Sequence, residues 1–230
     1  VHTVYDLQNI NAKLDGRYIL AGDIDATATT HWNSGEGFAP LGNGDNVFTG
    51  RFDGVGHTIT GLTIKPPTDT AGQVSRGMFG YIEDHACIEN VSLKDASVSG
   101  VKDVGGIVGA ADHSCVVRNV SFSGKVYGSD TVVGGIVGEL NKSTLENAYH
   151  EGTVEGNKAV GGIVGFVFGD STVQNVRNAG KVLGNEMLGG IAGSFEDNSH
   201  IQNALQTGTV EQRAGQTDSQ VGGVVGFLKD

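Results

Sequence analysis

At 230 residues, with 38 glycines, 3 prolines and 7% aromatic side chains, the chain is long enough to bury a sizeable core yet is dominated by turns. Its formal charge of −11 sets it against nucleic-acid phosphates and anionic membrane surfaces, both of which would repel it. No apolar run approaches the ~20 residues a membrane span needs, and no basic stretch leads into an apolar one as in a signal peptide.

In chain order, Thr3 is a candidate N-cap for a short amphipathic helix whose apolar residues are Val4, Leu7 and Ile10. Such a helix would cover the open end of a stacked fold. Tyr18–Leu20, Asp23–Asp25, Phe48–Phe52 and His57–Ile64 read as strands of one or two irregular coils, with a loop at 31–47. Polar excursions follow at 65–75 and later at 211–220, where loops that bind partners are expected. The chain begins abruptly and stops just after a repeat string, so it reads as a piece of something longer.

The string Val-Gly-Gly-Ile-Val-Gly occurs at 104–109, 133–138 and 160–165, with near-copies at 188–193 and 221–226 and a degenerate one at 76–80. Asparagine follows in phase at Asn90, Asn119, Asn147, Asn175 and Asn203, in steps of 29, 28, 28 and 28. Two residues before each lies an aliphatic side chain: Ile88, Val117, Leu145, Val173 or Ile201. Each unit therefore reads as about three short β-branched strands separated by Gly, Asn or Asp corners, and nothing in the array has helical periodicity. The pattern predicts an all-β fold, a right-handed parallel β-helix of roughly seven or eight coils. Residues 1–76 form its cap and irregular first coils and 77–230 its repeat coils, in one continuous domain. Glycines are expected to supply positive φ at the corners, and the asparagines to stack as a hydrogen-bonded ladder.

The repeated strings with their following asparagine resemble the GLUG repeat. The preceding stretches Leu20–Asp25, Gly37–Gly42, Phe48–Gly54, His57–Ile59 and Gly61–Ile64 resemble the usual lead-in to it. The combination is similar to large secreted bacterial adhesins of the filamentous haemagglutinin type and is also found beside immunoglobulin-A peptidase domains. The resemblance implies a secreted or surface-anchored protein, a non-catalytic stalk or binding segment whose partner is a glycan or protein on a host or neighbouring cell. No His-Glu-x-x-His string is present for the peptidase chemistry itself. No cofactor, nucleic acid or membrane insertion is expected, and the chain is expected to be a monomer with some association through its last strand edge.

Several residues are candidates for more than structure. Trp32 and Phe38 in the first long loop, with Lys65 and Arg76, are the candidate binding residues. Asp23, Asp25 and Asp53 would be the acids of an alternative, carbohydrate-active reading. They serve equally as turn caps beside Gly22 and Gly54. Asp84-His85-Ala86-Cys87 and Asp112-His113-Ser114-Cys115 lie one coil apart. They could hold free thiols, a Cys87–Cys115 disulfide, or a metal bound by His85, Cys87, His113 and Cys115.

Overall fold

The structure is a computed structural model and describes residues 1–65, 75–215 and 220–229. It is a parallel β-solenoid with one short N-terminal helix. That helix, α1, spans Val4–Gln8 and opens with a capping box: the Thr3 hydroxyl accepts from Asp6 N while the Asp6 carboxylate accepts from the Thr3 backbone N–H. Val4, Leu7 and Ile10 are buried, and the Gln8 and Asn11 side chains tie the helix and the 3-10 turn after it to Ala39, Pro40 and Gly42. The apolar spacing thus makes the cap it implied.

Three parallel sheets form the walls. The first stacks Arg17–Ile19, Arg51–Asp53, Cys87–Gly100, Val116–Gly128, Thr144–Glu155, Thr172–Asn178 and His200–Gln206. The second has six strands, from Phe79–Ile82 to Val225–Leu228, and the third has five, from Val104–Gly105 to Val221–Gly222. Among the described residues five turns contribute to all three walls, fewer than the seven or eight coils expected. The shortfall is in the lead-in, which adds its extra layers to the first sheet and meets the second only at the Leu41↔Phe79 and Phe48↔Ile82 bridges. Of the two polar excursions, 66–74 and 216–219 lie outside the described residues.

Stacking is in register with the sequence repeat. Ile88, Val117, Leu145, Val173 and Ile201 form one column, and Val98, Val126, Val154, Val182 and Val210 another. One apolar cluster runs from Val4 to Phe195, each fully buried aliphatic side chain in it contributing about 1.5–3 kcal/mol. On the outside, Arg51 and Arg118 both pair with the buried Glu89 carboxylate.

The corner asparagines Asn90, Asn119, Asn147, Asn175 and Asn203 all have φ between 51° and 54°. They also form the expected ladder: Asn119 Nδ2 donates to Asn90 Oδ1, Asn147 Nδ2 to Asn119 Oδ1 and Asn203 Nδ2 to Asn175 Oδ1, each at 2.9 Å. Gly124 and Gly152 take positive φ as expected at a corner, but the glycines of the repeat strings do not and have a different task. They are needed for close approach. A Cβ on Gly134 would stand 1.9 Å from Val137 O, and one on Gly135 would strike both Gly162 O and the His150 ring. The left-handed corner beside them is occupied instead by Asp103, Val132, Ala159 and Met187.

Candidate functional site

Two concavities lie where the period breaks, around the N-terminal cap. A cleft of about 760 Å³ is lined by Asn11, Asp15, Asn43, Asn46, Thr49 and Arg76. It adjoins a second of about 630 Å³ lined by Tyr5, Gln8, Asn9, Trp32 and Asn33, the two sharing Asn11 and Ala39. The Tyr5 and Trp32 rings lie 5.0 Å apart at an interplanar angle of 32°, and Tyr5 is 64% exposed. Trp32 is held by core packing on one side and by the 3-10 turns Thr27–His31 and Asn33–Gly35 on either side of it. Asn43 Oδ1 accepts from Asp45 N and Asn46 N, closing the loop that carries Asn43 and Asn46 into the first cleft. Burial pushes the Arg76 guanidinium pKa down, against the pull of Glu36.

Of the four candidate binding residues, the structure brings Trp32 and Arg76 to these clefts. Phe38 is 1% exposed and belongs to the core, so it is not a loop contact. Lys65 is exposed but lines neither cleft. Tyr5 was missed, although its signal was present: it is on the polar side of the helix whose other side is Val4, Leu7 and Ile10. An exposed Tyr5 beside a half-buried Trp32, ringed by amides, can stack on the apolar face of a sugar ring and hydrogen-bond its hydroxyls.

Asp23, Asp25 and Asp53 are occupied as turn caps. Asp23 Oδ1 accepts from Thr58 N at 2.9 Å and lies 3.2 Å from His57 Nδ1. Asp25 Oδ1 accepts from the Thr27 backbone and hydroxyl. Asp53 Oδ1 accepts from Asn90 Nδ2 and Val55 N, so that Asp53 is the foot of the asparagine ladder. Hydrogen bonding lowers the pKa of all three, led by Thr58, Thr27 and Asn90 respectively. A general acid needs the opposite shift.

The two Asp-His-x-Cys strings are stacked one residue out of step. Val116 lies over Cys87 and Ala111 over Ile82, a step of 29, whereas the strings repeat every 28. Cys115 is therefore level with Ala86, and both thiols are free: the disulfide is not formed, because the two sulfurs do not share a column. Cys115 is buried, donates to Asp112 O, and has its thiol pKa pushed up to about 12 by burial; Cys87 is raised for the same reason. Neither has the character of a reactive thiolate. The set His85, Cys87, His113 and Cys115 is likewise not assembled as a metal cage. The offset instead brings Glu83, which the sequence reading passed over, beside Asp112 and His113. His113 Nδ1 stands 3.0 Å from Glu83 Oε1 and 3.3 Å from Asp112 Oδ2.

The sequence between corners decides the relationship to known proteins. Residues 100–127 and 156–183 each match the GLUG motif. Each starts at the end of a first-sheet strand, passes through the third and second sheets and returns to the first, so the motif is one turn of the solenoid. Half of the chain, 49%, is 41% identical over 120 residues to halomucin from Haloquadratum walsbyi, of which it spans only 1%. The whole chain also superposes on 83% of a solved chain from Bacteroides ovatus, described provisionally as an immunoglobulin A1 protease, with a TM-score of 0.64 at 19% identity. That likeness establishes the solenoid fold. No helix among the described residues is long and apolar enough to cross a membrane.

Proposed function

We propose that this GLUG-repeat β-solenoid is a non-catalytic display and binding module of a secreted or surface-anchored bacterial adhesin, and that it takes glycan at its capped end. The observation that carries this reading is the exposed Tyr5 ring lying against the half-buried Trp32, set over an amide-lined cleft on the non-repeating N-terminal part of the molecule. A rigid stack of coils holds that end out, and the cap orders its side chains before any ligand arrives. The unperturbed role of Asp23, Asp25 and Asp53 as turn caps weighs against a carbohydrate-cleaving reading. A glycan array and a panel of cell-surface proteins test the proposal. Tyr5→Ala, which removes an exposed ring, should weaken binding about tenfold or more. Failure of the unmodified protein to bind any member would reduce the module to a spacer, and polysaccharide breakdown would make it an enzyme.

The Bacteroides ovatus likeness supports a second reading, a structural module of a larger secreted peptidase. The chain would then bind no glycan, and the peptidase would lose stability rather than specificity when the module is removed.

A further inference from the structure

We infer that Glu83, Asp112 and His113 form a divalent-cation site at one corner of the solenoid, and that zinc is the ion its ligands fit. One imidazole nitrogen and two carboxylate oxygens, each from a different side chain, lie within 4.8 Å of one another. Their contacts of 3.0 and 3.3 Å are close to the ~3.3 Å between ligands of a tetrahedral zinc with bonds of about 2.0 Å. Imidazole suits zinc, while two carboxylates supply the charge that a divalent ion needs. His113 is half-exposed, so water has access to the remaining position of such an ion.

Further carboxylates lie near this corner. Asp103 is 9% exposed, and its Oδ1 is buried without a hydrogen-bond donor. Asp103 and Asp112 are both close enough to Glu139 to help burial push its pKa up to about 7. In the outer column of the second sheet Tyr81, Ala110 and Glu139 stack in that order, so the small Ala110 leaves a notch between the two larger side chains. The Tyr81 hydroxyl reaches across to within 3.5 Å of Asp112 Oδ2. Glu83, Asp112 and Glu139 therefore surround Tyr81, with Asp103 on the far side of Glu139. Lys102, 3.7 Å from Asp103 Oδ2, is the cation paired with Asp103 there among the described residues. A bound divalent ion would offset two of the remaining charges.

The site arises from the one-residue offset between the two Asp-His corners. With the motif copies in step, Asp84 and not Glu83 would face Asp112.

Isothermal titration of the untagged protein with zinc, manganese and calcium chlorides tests the inference independently of glycan binding. The expected result is one saturable zinc site preferred over calcium. His113→Ala and Glu83→Gln should each weaken it about tenfold or more, while Asp23→Asn and the Cys87→Ser/Cys115→Ser pair leave it unchanged. Circular dichroism of each metal-free variant checks that the fold is intact. The absence of saturable zinc binding would overturn the site, as would binding that survives His113→Ala. Zinc lost from the cysteine pair but kept by Glu83→Gln would overturn it too, by moving the ion to the thiols.

Discussion

Each corner asparagine meets two requirements with one side chain. It tolerates a left-handed backbone, and at Asn90 and Asn119 its amide also donates one hydrogen bond down the stack and receives another from above. Asn119, at φ 53°, donates to Asn90 and accepts from Asn147. Asn119→Ala should therefore cost about 2 kcal/mol, from both the lost bonds and the strained backbone. Asn119→Gly should cost about half of that, because glycine relieves the backbone term. Equilibrium urea unfolding measures both, and a glycine variant less stable than the alanine one would refute this division. Asparagine was readable at this position because only a few residue types accept that φ. The corner at Asp103, Val132, Ala159 and Met187 was not, because there four unrelated side chains are forced left-handed by their neighbours.

At the scale of a column, the interior of the first sheet changes character along the stack. Leu93, Phe122, His150, Asn178 and Gln206 succeed one another in register, and the second glycine of each repeat string leaves the room they fill. His150 is fully buried, its ring stacked on Phe122 at 6.0 Å, its Nδ1 2.7 Å from Asn178 Oδ1 and its Nε2 without a partner. Burial pulls its pKa down to about 4, against the bond from Asn178 and the charge of Glu151. The unfolded chain therefore binds a proton near pH 6.5 that the folded one refuses until about 4. The stability associated with neutral His150 is present above pH 6.5 and is lost as pH falls towards 4, a loss of about 3 kcal/mol. Glu139, raised to about 7, works in the opposite sense over an overlapping range, so the difference between His150→Leu and wild type is the informative quantity. Melting temperatures from pH 7 to 4 should fall less for His150→Leu; parallel curves would mean that His150 is not the titrating group. The repeat period made the aliphatic columns and the asparagine phase legible. It hid this polar column, whose members share a position but no chemistry. It also hid the offset at Cys87, because an extra residue near Asp95 changes the local step from 29 to 28 within a single strand.

Over the whole molecule the two ends differ. The N-terminal end is closed by α1, whereas the last turn leaves Leu205 53%, Val221 47%, Val224 41% and Leu228 66% exposed. Such an edge is a template for association, so sedimentation velocity should show a dimer fraction that rises with concentration. Val224→Lys with Leu228→Lys should abolish it, and a wild type that stays monomeric throughout would show the edge to be self-protecting. The asparagine ladder adds a further asymmetry. In its links from Asp53 to Asn147, and again from Asn175 to Asn203, every amide donates towards the capped end. Their dipoles therefore add, positive towards the cap and negative towards the last turn. The Asp53 carboxylate sits at the positive pole, as an acid does at the start of a helix. The ladder is thus polarised along its length, and two copies meeting by their last turns would bring like poles of their ladders together.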